Sequence, residues 1–293
     1  MTIDYRILVG SSLTNEEKKN IQEVIDTTFH EIDTIYNKWN PDSELSQVNR
    51  LPAHTKMEIS PKLKKLLTLT DEIVTISEGR FDPTIEPLQH LWKKRLESGK
   101  KPSADEIAAI SPFVGWKTIH FKNGVLYKED GRTSVDLGAI AKGYGVDLLA
   151  ENLHTQGYSN LFVDWGGEIR VLGEHPDKRP WHIFISRLND TDPDHAIVHL
   201  DLRDQSVATS GDYLQKWSVE GTTYFHIIDP QTFQPLEMKN GSIASASVLA
   251  SSCALADGLA TAAMLFPDID QAEAWTAKVR EHYPEVRLWL LSR

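Results

Sequence analysis

Between residues 161 and 249 the sequence carries six strand-like segments in succession, with no helical pattern separating them. These are Leu161–Asp164, Ile169–Leu172, His182–Ser186, Ile197–Leu202, Tyr224–Ile228 and Ser242–Leu249. A parallel sheet needs a long crossover after each strand, usually a helix. Strands that follow one another without helices belong instead to antiparallel pairs. Helical periodicity is found outside this block. Thr14-x-x-Glu17 is a capping-box pattern, and behind it Ile21, Val24, Ile25, Phe29, Ile32 and Ile35 recur at helical spacing, which predicts a helix over 15–37. Ser60-Pro61 opens a second helix, with Leu63, Leu66, Leu67, Ile73 and Val74 on one face. Ser103-x-x-Glu106 caps a short third one. Lys117–Phe121 and Val125–Lys128 flank Asn123-Gly124, a strong hairpin signal. Further helices are predicted near 140–154, 254–265 and 270–281, with a closing strand at Val286–Leu291 and a polar, exposed loop at 187–195. The pattern does not alternate as βαβ units, so the fold class is α+β: mixed, largely antiparallel sheets with packed helices. No linker, low-complexity stretch or close repeat divides the chain, and we read residues 1–293 as a single large domain.

Composition narrows the function. The chain has 31 Lys+Arg against 42 Asp+Glu, a net charge of −11, which lacks the basic footprint of a nucleic-acid binder. The same balance repels an anionic ligand unless a local cation offsets it. Cys253 is the one cysteine, so an internal disulfide and a cysteine-based zinc cluster are excluded. No apolar run approaches the ~18 residues of a membrane span. Met1 leads directly into the alternating run Thr2–Val9, with no basic and apolar leader pattern in this chain. Taken alone, that start favours a cytoplasmic protein.

Several familiar motifs fail on inspection. In Gly138-Ala-Ile-Ala-Lys142-Gly143-Tyr144-Gly145 the lysine precedes the glycine that it follows in a phosphate-binding P-loop. The dinucleotide fingerprint is absent. His30-Glu31 is followed by Thr34 where a zinc protease needs histidine, and Ser210-Gly211 lacks a nucleophile elbow.

Other constellations survive. Asp257 and Thr261 stand four apart in a predicted helix and so share one face. Together they offer two oxygen ligands to a hard cation such as Mg²⁺. Such a pair is ordinarily a solvated face, but here the neighbours are Ala, Leu, Gly and Met, and a buried carboxylate wants a partner or a metal. Asp136 and Lys142 bracket a small-residue turn that runs into a helix, where exposed amides favour an anion; a helix cap plus a surface lysine fits equally well. His226 ends a strand in His226-Ile-Ile-Asp229-Pro. It is either structural or a base suited to neutral pH. Ala208–Tyr213, Gly79–Thr84 and Asp164–Glu168 are polar, glycine-bearing turns at strand ends, and their number suggests one composite site.

Taken together, these segments resemble the FAD:protein FMN transferase family, the ApbE-like flavin transferases. The resemblance is carried by Pro41-Asp-Ser-Glu-Leu-Ser, Gly79–Thr84 with Pro87-Leu88 and Trp92, Asp136–Tyr144, Val163–Ile169, Ala208–Tyr213, His226–Pro230 and Ala256–Thr261, and it covers nearly the whole chain. It implies an ApbE-like or T-fold-like architecture. It also implies binding of FAD with Mg²⁺ and transfer of the FMN half to a Thr or Ser of an acceptor protein, releasing AMP; typical acceptors are subunits of membrane redox pumps. Asp257 and Thr261 match metal positions, with the Ala139 main-chain carbonyl as a further ligand. Met1, Trp39, Arg80, Phe81, Asp82, Asp136, Lys142 and Ile228 fall where the family contacts FAD, and His226 matches the proposed catalytic histidine. The chain departs from the family pattern at Met1-Thr2-Ile3, Glu168, Phe233 and Ala260. The resemblance begins at Met1 and exported members carry a leader or lipid anchor just before this point. The expectation therefore moves to the extracytoplasmic side of a bacterial membrane, with the leader missing from this chain and a cytoplasmic location as the alternative. Two competing functions use the same residues: hydrolysis of FAD to FMN and AMP, and flavin binding without turnover.

Overall fold

The computed structural model describes residues 3–190, 192–212 and 215–293. In chain order it runs β1 (Tyr5–Val9), α1 (Asn15–Ile35), α2 (Glu44–Asn49), β2 (Met57–Glu58), α3 (Pro61–Ile76), α4 (Glu86–Glu97) and α5 (Ala104–Ile110). Then come β3 (Ile119–Lys122), β4 (Val125–Lys128), α6 (Ala141–Thr155), β5 (Leu161–Trp165), β6 (Glu168–Leu172), β7 (Trp181–Ile185) and β8 (Val198–Leu202). The chain closes with β9 (Gln205–Gly211), β10 (Lys216–Val219), β11 (Thr222–Asp229), β12 (Gln234–Glu237), β13 (Ile243–Ala250), α7 (Cys253–Ala263), α8 (Ile269–His282) and β14 (Arg287–Ser292). No helix among the described residues is long and apolar enough to cross a membrane.

The chain separates into two compact units. The first comprises residues 1–32, 140–210 and 243–292; the second comprises 33–139, 211–242 and 293. The first is built on a six-stranded sheet of order β1-β5-β6-β9-β13-β14, in which the pairs β1/β5, β5/β6, β6/β9 and β13/β14 are antiparallel. The two-residue period of β5 shows how the layers form. Leu161 and Val163 face a core made with Ile21 and Ile25 of α1 and Val146, Leu149 and Leu153 of α6. Phe162, between them, joins Val171, Val207 and Leu249 against Trp181, Ile183 and Leu202 of the β7/β8 pair. The sheet is therefore covered on both faces. The reciprocal cap expected at Thr14 and Glu17 starts α1: Glu17 Oε2 accepts from Thr14 N–H at 2.7 Å, and Thr14 Oγ1 accepts from Glu17 N–H at 3.2 Å.

In the second unit α4 lays Leu88, Trp92 and Leu96 against Val219, Tyr224 and Ile228 of the β10-β11-β12 sheet. Ser60 caps α3 and Ser103 caps α5, the latter with the full reciprocal box. Asn123 and Gly124 take φ of 53° and 80° between β3 and β4, the left-handed pair that such a hairpin turn requires.

Sequence periodicity missed α2, α4, β2, β9, β10 and β12. β9 reads as polar, Gln-Ser-Val-Ala-Thr-Ser-Gly, yet it is an interior strand, and its Thr209 hydroxyl is satisfied by Ser247 Oγ at 2.8 Å. β12 carries Pro235, which an edge strand tolerates because one side of it needs no ladder donor.

Candidate active site

In the first unit the candidate residues gather where α6 and α7 touch. Gly143 makes this contact possible: a Cβ there would lie 2.4 Å from the Cys253 carbonyl oxygen and 2.8 Å from Asp257 Cβ. With no side chain between the helices, the Gly143 N–H donates to Asp257 Oδ2 at 3.0 Å. Asp257 is 3% exposed. Burial raises its pKa, while the Lys142 charge and the Gly143 N–H work in the opposite direction. Lys142, in the first turn of α6, ion-pairs with Glu168 Oε1 at 2.6 Å. Burial opposes the Lys142 ammonium, but Glu168 and Asp257 outweigh it and hold its pKa above the ordinary lysine value. Glu168 is pushed up to about 7, by burial first and then by the Asp257 charge. Thr261 lies one turn beyond Asp257, its hydroxyl 3.1 Å from Ser210 Oγ.

The N-terminus of α7 is fixed from two sides. Ser252 caps it, and Asp147 of α6 accepts from Cys253 N–H and Ala254 N–H, both at 2.9 Å. Arg170 compensates the Asp147 charge at 2.5 Å.

This chemistry suits a hard cation. Asp257 and Thr261 offer oxygen donors only, the class that Mg²⁺ prefers. Glu168 Oε2 is buried without a hydrogen-bond partner, and the one Lys142 ammonium faces both Glu168 and Asp257. Among the described residues no three His, Cys, Asp or Glu side chains form a metal-holding group. The donors proposed from the sequence are of another kind: one carboxylate, one hydroxyl and one main-chain carbonyl, that of Ala139.

The second unit holds Ala139, Trp39, Arg80, Phe81, Asp82, Asp136, His226 and Ile228. Trp39 is 76% exposed. Behind it Lys38 Nζ sits 4.7 Å from the indole centroid, 2.5 Å from Glu86 Oε1 and 2.6 Å from Asp136 Oδ2. Asp136 also accepts from Gly138 N–H and donates its own N–H to the Pro83 carbonyl at 2.7 Å, so the 79–84 and 136–138 segments are neighbours. Asp82 is committed to this turn. Its Oδ1 accepts from Thr84 N–H and Oγ1–H, and its Oδ2 from Trp116 N–H. Burial raises its pKa against those bonds. Phe81 and Ile228 are 2% and 4% exposed, so their side chains serve packing. Arg80 continues the turn, its N–H donating to the Ser77 carbonyl at 3.1 Å. Met1, also predicted to contact FAD, lies outside the described residues.

His226 is an interior residue of β11 whose Nδ1 is buried with no hydrogen-bond partner. Burial lowers its pKa; the Gln215 main chain and the Asp212 charge act the other way. Asp212 is itself buried and paired with Arg293, whose guanidinium stacks 4.8 Å from the Phe225 ring.

Sequence reading assigned no role to Lys38, Glu86, Asp147 or Arg170, since each reads as an ordinary helix, turn or strand charge until the partner is seen. It also passed over Asn49 and Lys128. Asn49 brackets Val135 by accepting from its N–H and donating to its carbonyl, at 2.8 and 2.9 Å. Lys128, fully buried, donates to the Asn49, Gly131 and Thr133 carbonyls at 2.7, 3.1 and 2.7 Å. Both hold the irregular segment that delivers Asp136. The Pro41–Ser46 segment serves largely as scaffold: Ser43 caps α2, and Glu44 accepts from the Ser60 N–H and hydroxyl, both at 2.6 Å.

The chain is similar in sequence and fold to known proteins. A curated Chlamydia pneumoniae protein named FAD:protein FMN transferase is 42% identical over 285 residues, 97% of this chain and 87% of that protein. The crystal structure of the Pseudomonas stutzeri flavinyl transferase ApbE in its apo form superposes with a TM-score of 0.81 at 25% identity, covering 99% of this chain and 92% of that one. The flavin transferase ApbE from Vibrio cholerae gives 0.79 at 28% identity, covering 99% and 94%. The ApbE family model matches residues 1–286, and the chain belongs to the ApbE family.

Proposed function

We propose that this protein is an FAD:protein FMN transferase, moving the FMN half of FAD onto a threonine or serine hydroxyl of an acceptor protein and releasing AMP. The observation that carries this reading is the match along almost the whole chain to proteins named for that reaction. The site chemistry agrees with it. A hydroxyl oxygen bonds to the FMN-side phosphorus, the pyrophosphate bond breaks, and AMP leaves with the bridging oxygen. His226 takes the hydroxyl proton, its ring kept neutral by the burial that lowers its pKa. Lys142, whose ammonium already faces Glu168 and Asp257, would supply positive charge to a pyrophosphate only together with the bound cation, against a chain net charge of −11. Trp39 and Asp136 contact the flavin nucleotide, with Arg80 and Asp82 alongside.

Asp257 and Thr261 would hold Mg²⁺. The ion would neutralise charge that develops on the phosphoryl oxygens. We further propose that the acceptors are subunits of membrane redox pumps and that the protein works on the extracytoplasmic side of a bacterial membrane. Fractionation of source cells tests the latter, and recovery in the cytosol would refute it.

Incubation with FAD, Mg²⁺ and a threonine-bearing acceptor, read as flavin fluorescence on the denatured acceptor, tests the activity. The expected result is a fluorescent band lost with EDTA and with Asp257→Ala. Free FMN without a labelled acceptor would make the enzyme a hydrolase, and intact FAD would make it a binder.

A further inference from the structure

Lys38 is 14% exposed, and its ammonium meets three groups at once. Two are carboxylates, Glu86 at 2.5 Å and Asp136 at 2.6 Å, and the third is the face of Trp39 at 4.7 Å. The lysine is not a loose surface charge. Its own carbonyl accepts from Ser46 Oγ–H at 3.0 Å, and Ser134 Oγ–H occupies the second oxygen of Glu86 at 2.7 Å. The turn around it is equally fixed: Asn37 Oδ1 accepts from Trp39 N–H at 3.0 Å, and Asp33 holds both Asn37 and Asn40. Trp39 is thus an indole with one face on a trapped cation and, at 76% exposure, the opposite face open to solvent. An exposed indole held in one orientation is a stacking platform for a planar ring. The same ammonium aims Asp136. It does not offer a phosphate site, because its charge is already exceeded by two carboxylates.

We infer that Lys38 is a positioning residue for FAD: it sets the Trp39 ring as a platform for a planar ring of the dinucleotide and fixes the direction of Asp136. The inference rests on the flavin transferase reading above. It adds a residue that sequence reading assigned no role, and it places binding specificity in the turn that joins α1 to α2.

The test is a titration of FAD against wild type, Lys38→Met and Trp39→Ala, read by flavin fluorescence with melting temperature measured in parallel. Wild type is expected to quench flavin emission on binding, the signature of stacking. Lys38→Met is expected to weaken binding by about tenfold or more and to reduce the quench, the loss appearing in the KM for FAD rather than in kcat. Trp39→Ala leaves the Lys38 ion pairs in place and is expected to lose the quench as well. It serves as the deciding variant should Lys38→Met fail to melt cooperatively. Wild-type affinity and quench in Lys38→Met, even with a lowered melting temperature, would overturn the inference by making the cluster purely structural. Wild-type quench in Trp39→Ala would overturn the platform. Failure of wild type to bind FAD would instead remove the transferase reading, and this inference with it.

Discussion

Replacing Gly143 with alanine sets two effects of opposite sign against each other. Gly143 lies in the first turn of α6, where alanine is favoured over glycine by at most the roughly 1 kcal/mol of a helix interior. On propensity alone the variant gains stability. The structure reverses that expectation. The added methyl would lie 2.4 Å from the Cys253 carbonyl oxygen, 2.7 Å from its carbonyl carbon and 2.8 Å from Asp257 Cβ. Two of these atoms are main chain and cannot rotate away, so α6 and α7 must separate by roughly 1 Å to reach ordinary contact. Overpacking of this kind costs about 1–3 kcal/mol, and more when backbone must move. Separation also stretches the bond from Gly143 N–H to Asp257, a hydrogen bond to a charged group worth about 1.5–3 kcal/mol. A net loss of about 2 kcal/mol follows, a fall of roughly 3 °C in melting temperature for a chain of 293 residues. Thermal melting by circular dichroism checks the stability term. Titration with Mn²⁺, read by the relaxation of solvent water, checks that weaker cation binding accompanies it. A melting temperature equal to or above that of wild type would show that the close approach of α6 and α7 is not what requires glycine.

Three further expectations concern single side chains. Asp257→Ala should still fold, with a melting temperature lowered by loss of the Gly143 N–H bond, and lose Mg²⁺-dependent turnover; activity that survives both the substitution and EDTA refutes the metal assignment. His226→Ala should keep FAD affinity and lower transfer by roughly 10²–10⁴-fold, the usual contribution of a general base. Because burial lowers the His226 pKa, the wild-type rate should fall with acid only below the ordinary histidine value of 6.5, and a limb at or above 6.5 contradicts a buried base. Lys128→Met strands the Asn49, Gly131 and Thr133 carbonyls, and each unsatisfied buried group costs about 1–3 kcal/mol, so urea unfolding should show a loss of about 3 kcal/mol or more.

Which parts of this molecule were legible in the sequence follows from where the information lies. Caps and turns are local: Thr14 with Glu17, Ser60 before Pro61, Ser103 with Glu106 and Asn123-Gly124 all formed as their spacing predicts. The period-two alternation of β5 was legible because its two sides meet two apolar layers. β9 was not, because its small hydroxyl residues are satisfied by strands distant in sequence. α4 was missed although Leu88, Trp92 and Leu96 recur every fourth residue, since Ile85 supplies no side-chain cap. In the site, the Asp257/Thr261 face could be read from helical spacing and apolar neighbours. The Lys38–Asp136 and Asp147–Arg170 pairs span 98 and 23 residues, and no local pattern announces them. Phe233 makes the same point: it takes a φ of 59° in the turn between β11 and β12, a conformation that favours glycine, and its carbonyl accepts from Trp92 Nε1–H at 2.8 Å, a partner 141 residues away.

The central claim, that a protein hydroxyl rather than water attacks FAD, is tested most directly by running the reaction in ¹⁸O-labelled water and weighing the products. Transfer predicts an acceptor heavier by one FMN phosphoryl group joined at threonine or serine, together with AMP free of solvent oxygen. Label in free FMN or AMP, with the acceptor mass unchanged, would contradict it and identify water as the nucleophile.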